Sequence, residues 1–248
     1  MPWSIPNVRI DYAPLQSCVP RAWWRSVESS FTTFAVECFT DELAAAAGRD
    51  AFEFRMELLA GDRIVPNPMW PSGTVSTKRL RDVLQMAAGS AGWGKPLPQG
   101  WGRGIAGYAG FGSYIAWVAV VSSESGGGIK VRQVFGAVDC GRAVNPDGVK
   151  AMMEGAANFG MTAVLSGEIT IANGAVEQSN FDSYRALRMP DAPPIDVHVI
   201  ESGEALGGMG EPGVPPIMPA VANAVFAATG RRVRRLPLLD GVGRLRMS

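Results

Sequence analysis

The stretch GIAGYAGFGSYIAWVAVVSSESGGGIKVRQVFGAV, residues 104–138, decides the fold class. It holds two runs rich in β-branched and aromatic residues, Ser113–Val121 and Ile129–Val138, joined across Gly126, Gly127 and Gly128. Such side chains fit a pleated, half-buried surface, so both runs are expected to be strands. The uncharged span Gly104–Ser123 has the length of a membrane helix. Four glycines crowd its first half, however, and a strand-like run follows it, so it reads as two buried strands and a loop.

On the N-terminal side the apolar period is helical. A helix is expected from near Glu28, with Phe31, Phe34, Ala35, Cys38, Phe39 and Leu43 on its core side, Glu37, Asp41 and Glu42 on the other, and Gly48 as its stop. Asp50 is expected to cap a second helix whose Phe54, Leu58 and Leu59 share a face, before Gly61 and a Pro-rich loop, Pro66–Pro71. Thr77 opens a third, carrying Leu80, Val83, Leu84 and Ala87 and closed by Gly89. Residues 1–27, rich in Pro and Trp without a period, read as extended chain.

On the C-terminal side Pro146 stands at the first turn of an apolar helix running to about Leu165, where its missing N–H costs nothing. Asn173-Gly174 between Ile169–Ile171 and Ala175–Gln178 is a hairpin signal. Ile195–Ile200 alternates as a strand does, and a Gly-rich stretch, Gly203–Gly213, leads through Pro215, Pro216 and Pro219 into an apolar helix ending near Gly230. The mixed order of elements predicts an α+β fold, with residues 1–103 mainly helical and 104–248 mixed.

Composition removes several function classes. With 23 basic and 23 acidic residues the net charge is zero, which argues against a nucleic-acid binder. The local cluster Arg231, Arg232, Arg234 and Arg235 follows a helix end, where cations are favoured, so a solvated or subunit-facing structural role is expected ahead of a phosphate contact. Cys18, Cys38 and Cys140 are too scattered for a disulfide framework, a zinc site or an iron–sulfur cluster, and Cys38 reads as core filler. The lone histidine, His198, shares a strand face with Asp196 and reads as a surface or paired residue. No apolar h-region follows Met1, so no export signal is read there and a cytoplasmic location is expected, with a periplasmic one open through a partner or a leader.

The richest locus is GGMGEPGVPP, Gly207–Pro216, before the last helix. Glycines let backbone approach a bound group closely, and a helix N-terminus suits anions. Glu211, its only ionisable residue, is either a structural anion at that terminus or a base. Asp139-Cys140-Gly141 and Asn145-Pro146-Asp147 form a second turn before a helix. A phosphate or pterin edge could sit there, but Asn145 as a simple helix cap is the better local explanation.

Several stretches together resemble the molybdopterin-binding subunit of the xanthine dehydrogenase and aldehyde oxidase family, most of all its isoquinoline 1-oxidoreductase beta branch. They are Trp24-Arg25-Ser26-Val27, Glu37–Ala44, Ala137–Gly141, Asn145-Pro146-Asp147, Glu154-Gly155, Gln178–Phe181 with Tyr184 and Arg188, and Gly210–Pro216 followed by Pro219–Ala224 and Ala228–Gly230. The resemblance covers nearly the whole chain and places it as the C-terminal part of a molybdopterin-binding domain, mixed sheets packed with helices. It implies oxidative hydroxylation of an aldehyde or N-heterocycle with water-derived oxygen, and Glu211 as the catalytic base. Trp24, Arg25 and Ser26 would line the substrate pocket, and Met152, Glu154, Gly155 and Gly210 would lie at the cofactor, a molybdenum-bearing molybdopterin in its cytosine dinucleotide form. Iron–sulfur clusters would reside on a partner chain, and the N-terminal half of the molybdopterin-binding subunit would be a second partner. At position 152 the family has a glutamine that hydrogen-bonds the cofactor, whereas Met152 cannot supply an amide. Two other roles stay open: a non-catalytic relic or assembly scaffold of the same fold, and a small-molecule domain that binds phosphate on its Gly-rich loop.

Overall fold

A computed structural model describes residues 3–66, 73–240 and 245. In chain order, α1 (Ser29–Ala46) and α2 (Ala51–Leu58) precede short strands β1 (Ile64–Pro66) and β2 (Thr74–Ser76), α3 (Thr77–Ser90) and long strands β3 (Trp101–Gly110), β4 (Ser113–Ser123) and β5 (Ile129–Asp139). Next come α4 (Pro146–Leu165), a small hairpin of β6 (Ile171–Ala172) and β7 (Ala175–Val176), then β8 (Ile195–Val199) and α5 (Ile217–Thr229). The main sheet has the order β3-β4-β5-β8, antiparallel except for β8, which runs parallel to β5. Mixed pairing and mixed element order make this an α+β fold.

Side chains alternate across the sheet, so each strand feeds two cores. Ala106, Ile115, Trp117, Ala119 and Val121 pack with α4 and α5. Ile105, Tyr114, Ala116 and Val118 pack with Leu80, Val83, Leu84 and Ala87 of α3, the face expected from their spacing. Each buried Leu or Val there contributes about 1.5–3 kcal/mol. A bulge opposite Val120/Val121 makes Arg132 an extra residue on β5, which keeps Val131 and Val134 on the same face. Two glycines of β3 set the depth of α5. A Cβ at Gly104 would stand 2.1 Å from the Ala224 nitrogen, and one at Gly102 2.4 Å from that of Ala228, so the helix lies directly on strand backbone.

Several local expectations hold. Asn145 Oδ1 accepts from the Gly148 N–H at 3.0 Å to start α4, and Asp50 caps α2. Asn173 and Gly174 both take positive φ, +51° and +79°, the conformation a two-residue hairpin turn requires. Gly104–Ser123 forms parts of β3 and β4, and no helix among the described residues is long and apolar enough to cross a membrane. Of the Pro-rich loop, residues 67–71 lie outside the described residues.

The orientation of α1 corrects the sequence reading. Phe31, Phe39 and Leu43, expected in the core, are exposed, while Glu37 and Asp41, expected in solvent, are buried. The cause lies in residues distant in sequence. Arg55 of α2, itself 0% exposed, donates through Nε to Glu37 Oε2 at 2.8 Å and through Nη2 to the Glu37 carbonyl at 2.9 Å. Arg232, beyond α5, pairs with Asp41 and lies over the Phe226 ring, and Arg234 pairs with Glu42. Buried ion pairs of this kind exist only where partners satisfy them. Burial pushes the Glu37 carboxyl up from its usual range even though Arg55 opposes it. Burial and the charges of Glu37 and Asp41 likewise raise the Cys38 thiol, so Cys38 is buried as expected but on a polar face. In α2 the expected Leu59 is buried, but its companion there is Arg55, with Phe54 and Leu58 only half-buried.

Candidate active site

The loop bearing Glu211 crosses the ends of β3, β4 and β5 and is tied to all three. The Gly207 N–H donates to the Cys140 carbonyl at 2.9 Å and the Gly208 N–H to that of Phe111 at 2.7 Å. Ser113 Oγ donates to the Gly208 carbonyl at 2.8 Å, and Trp117 Nε1, buried in the sheet, donates to that of Gly213 at 2.8 Å. Gly213 also lets α4 close in: a Cβ there would stand 2.7 Å from Ala156 Cβ. Because Gly207 and Gly208 spend their amides on protein carbonyls, those donors are lost to a phosphate nest on this loop.

A second segment grips the loop from outside. Arg25 Nε donates to the Gly210 carbonyl and Ser26 Oγ to the Glu211 carbonyl, both at 2.7 Å. Ser26 and Val27 take positive φ, +74° and +52°, a left-handed turn that non-glycine residues rarely adopt. That turn feeds α1 and is closed by Ser30 Oγ donating to the Arg25 carbonyl at 2.8 Å. Trp24 stacks on Phe159 of α4 with centroids 4.8 Å apart, and the Arg25 guanidinium lies 5.6 Å from the same ring. Partial burial lowers the Arg25 pKa, and the charge of Glu211 opposes that shift.

Among the expected cofactor residues, Met152 and Gly155 share an exposed stripe of α4 with Phe159, at helical spacing of three and seven. Glu154 is exposed but about 200° around the helix from Met152, since each residue turns ~100°. Phe159 thus links this stripe to Trp24 and Arg25, which with Ser26 reach Gly210 and Glu211, and Glu154 lies off the stripe.

Two contributors were missed from sequence. Phe159 anchors Trp24, and its signal was its place on the Met152–Gly155 stripe of a helix otherwise rich in small residues. Tyr108 points toward the same region and donates to Ser29 Oγ at 2.8 Å, its ring crossing Gly110, where a Cβ would stand 2.1 Å from the Tyr108 hydroxyl. Burial, with smaller contributions from Glu28 and Glu211, pushes its phenol up to about 12.

The second turn is fixed by Asp139 and its donors. Asp139 accepts from Arg79 Nε and Nη2 and from Ser202 Oγ, each at 2.7 Å, and from the Gly141 N–H at 2.9 Å. Burial pushes the Asp139 carboxyl up, but these donors outweigh it and hold the group below the usual carboxylate range. His198 sits half-exposed on β8, 3.3 Å from Asp196 Oδ2.

Residues 85–193 match the molybdopterin cofactor-binding domain. The chain is 36% identical over 222 residues, 87% of its length, to the membrane-bound aldehyde dehydrogenase (pyrroloquinoline-quinone) of Gluconacetobacter polyoxogenes. It is 29% identical over 247 residues, 99% of its length, to isoquinoline 1-oxidoreductase subunit beta of Brevundimonas diminuta. Residues 85–193 are thus similar to a molybdopterin cofactor-binding domain, and the chain as a whole is similar to subunits of this kind. Its likeness to the beta subunit takes in both the Arg25 and the Glu211 segments. The chain spans 29% and 30% of the two relatives. The aldehyde oxidoreductase of Desulfovibrio desulfuricans shares the fold, with a TM-score of 0.67 over 87% of this chain and 40% of that one, at 13% identity.

The donor set can be tested against the family's cofactor. Glu211 is half-buried, and its carboxylate accepts no hydrogen bond among the described residues. Gly210 and Gly155 have nothing within 4 Å of where a Cβ would stand, so a flat ring system can approach their backbone. Met152 brings only a thioether, a weak acceptor. These residues fit the reacting edge of a molybdopterin, with one amide donor fewer than the family pattern.

Proposed function

We propose that this chain is the part of a molybdenum-dependent oxidoreductase subunit that carries the catalytic base, Glu211, and hydroxylates an aldehyde or an N-heterocyclic carbon with water-derived oxygen. The observation that supports it most is the half-buried Glu211 carboxylate, without a hydrogen-bond partner of its own among the described residues, on a loop whose carbonyls at 210 and 211 are held by Arg25 and Ser26. The activity belongs to an assembly with the rest of the molybdopterin-binding subunit and an iron–sulfur subunit, and we place it in the cytoplasm.

The molybdenum cofactor, in its cytosine dinucleotide form, supplies the oxygen-transfer and electron-accepting chemistry when bound. Gly210, Gly155 and Met152 would border it. Glu211 takes the proton at a carboxylate oxygen, and a positioned base of this kind contributes about 10²–10⁴-fold. Arg25 is left with its terminal nitrogens to orient a carbonyl oxygen or ring nitrogen, because only Nε is committed to Gly210. The Trp24–Phe159 stack forms an apolar wall suited to a planar substrate.

One observation favours a non-catalytic scaffold instead: Met152 stands on the cofactor stripe without an amide. Replacing Glu211 by Gln in the assembled complex separates the two. Loss of turnover by at least ~10²-fold with molybdenum content unchanged is expected. Turnover within threefold of the parent, or a parent complex without molybdenum, would sink the catalytic assignment.

A further inference from the structure

The helix α1 is built inside out. Its packed face carries Ser29, Ser30, Thr33, Glu37, Thr40 and Asp41, while Phe31 and Phe39 are 65% and 59% exposed, with Ala35 and Leu43 beside them. At 100° per residue, positions 31, 35, 39 and 43 drift by only ~40° per step, so they form one apolar stripe along the whole helix. Among the described residues nothing covers this stripe.

The segment before α1 has the same character. Trp3 is buried against the α3 core, and the Ser4 N–H donates to the Leu58 carbonyl at 2.6 Å. At the other end Trp24, Arg25 and Ser26 are fixed to α4 and the Glu211 loop. Between these anchors residues 5–23 are exposed throughout, and the hydrogen bonds there are local, such as Arg21 Nη2 to the Leu15 carbonyl at 3.3 Å. Tyr12 and Trp23 are 88% and 89% exposed. At about 200 Å² for a fully exposed aromatic side chain, Tyr12, Trp23, Phe31 and Phe39 together offer roughly 600 Å². One partner's share of a standard interface is about 800 Å².

We infer that the α1 stripe and the 5–23 arm form one docking surface for the remaining portion of the molybdopterin-binding subunit. Three observations select that occupant. The two relatives extend well beyond the 29% and 30% that this chain spans, so a large part of the subunit is available to cover it. The surface runs without a break into Trp24 and Arg25, so whatever covers Trp23 also walls the open side of the Glu211 site. The stripe is aromatic and its buried reverse is already charge-satisfied by Arg55 and Arg232, which leaves apolar burial as the available contribution to docking. The inference rests on likeness to these relatives and on an assembled subunit, and is independent of whether Glu211 is a base.

The test uses the complete molybdopterin-binding subunit assembly with p-benzoylphenylalanine at position 39 and, separately, at position 23, irradiated and mapped by mass spectrometry. Cross-links from both positions to the portion of the subunit outside these 248 residues are expected. Cross-links to a second copy of this chain, to an unrelated protein, or to nothing would overturn the inference. A Phe31→Glu/Phe39→Glu variant provides the complementary reading. Both side chains are exposed, so the chain should melt within about 2 °C of the parent, as surface substitutions do, yet fail to hold the rest of the subunit through gel filtration. Normal assembly by this variant would also refute the surface. Glu211→Gln, by contrast, should assemble as the parent does, so failure of docking and failure of the catalytic assignment are read separately.

Discussion

Replacing Arg55 by Met tests the account of α1 at its centre. Arg55 is fully buried and its guanidinium serves three acceptors: Glu37 Oε2, the Glu37 carbonyl, and the Ala51 carbonyl at 2.9 Å. Met fills similar volume but satisfies none of them. The Glu37 side chain, 2% exposed, would then hold an uncompensated charge. Breaking one side of a buried pair costs about 3–5 kcal/mol, and a chain of this size shifts its Tm by ~2–4 °C per kcal/mol. Thermal unfolding followed by circular dichroism should therefore show a fall of roughly 6–20 °C at pH 7.5. The pH dependence carries a sign. Burial already raises the folded pKa of Glu37 above its unfolded value of ~4.3, and removing Arg55 raises it further. A carboxyl shifted upward costs nothing while protonated and destabilises as pH rises through its folded pKa, so the deficit should shrink toward pH 4.5. Adding Glu37→Gln to Arg55→Met should restore part of the loss at pH 7.5. A single variant within 1 kcal/mol of the parent, or an equal deficit at both pH values, would refute the reasoning.

Other outcomes follow from the same geometry. Gly104→Ala should lower stability by more than ~3 kcal/mol, measured by chemical denaturation, because its Cβ would meet α5 backbone at 2.1 Å rather than a side chain that can turn away. Asp139→Asn should cost about 1.5–3 kcal/mol at pH 7. Since the parent carboxyl is held below its usual range, its contribution is present above the unfolded pKa of ~3.9 and lost as pH falls through the lower folded value; denaturation midpoints from pH 7 to 2 should converge for the two proteins. Met152→Gln, on an exposed stripe where an amide disturbs no packing, should raise molybdenum retained by the assembly after gel filtration, and an unchanged metal content would remove position 152 from the cofactor site.

Local signals were legible wherever local chemistry decides structure. Asn145 and Pro146 open α4, Asn173-Gly174 turns the small hairpin, and the Leu80–Ala87 spacing faces α3 to the sheet. The face of α1 was not legible, because periodicity reports where an apolar stripe lies and not what covers it. Arg55 and Arg232, eighteen or more residues away, turn Glu37 and Asp41 inward. The parallel pairing of β8 with β5 is likewise set by packing between segments nearly sixty residues apart. At the candidate site the Glu211 loop stood out by its glycines and single ionisable residue, whereas its reading as a base and the Arg25 segment came from resemblance to a family. Phe159 and Tyr108 were missed, since each acts through a cross-chain contact that no short motif encodes.

The grip on the Glu211 loop is made to main chain. Arg25 and Ser26 hold carbonyl oxygens, as do Ser113 and Trp117 farther along, and none of the four depends on which side chain occupies position 211. The backbone course of the loop is therefore set by contacts that any residue at position 211 would leave in place. Chemistry at position 211 can be rewritten on an unchanged frame.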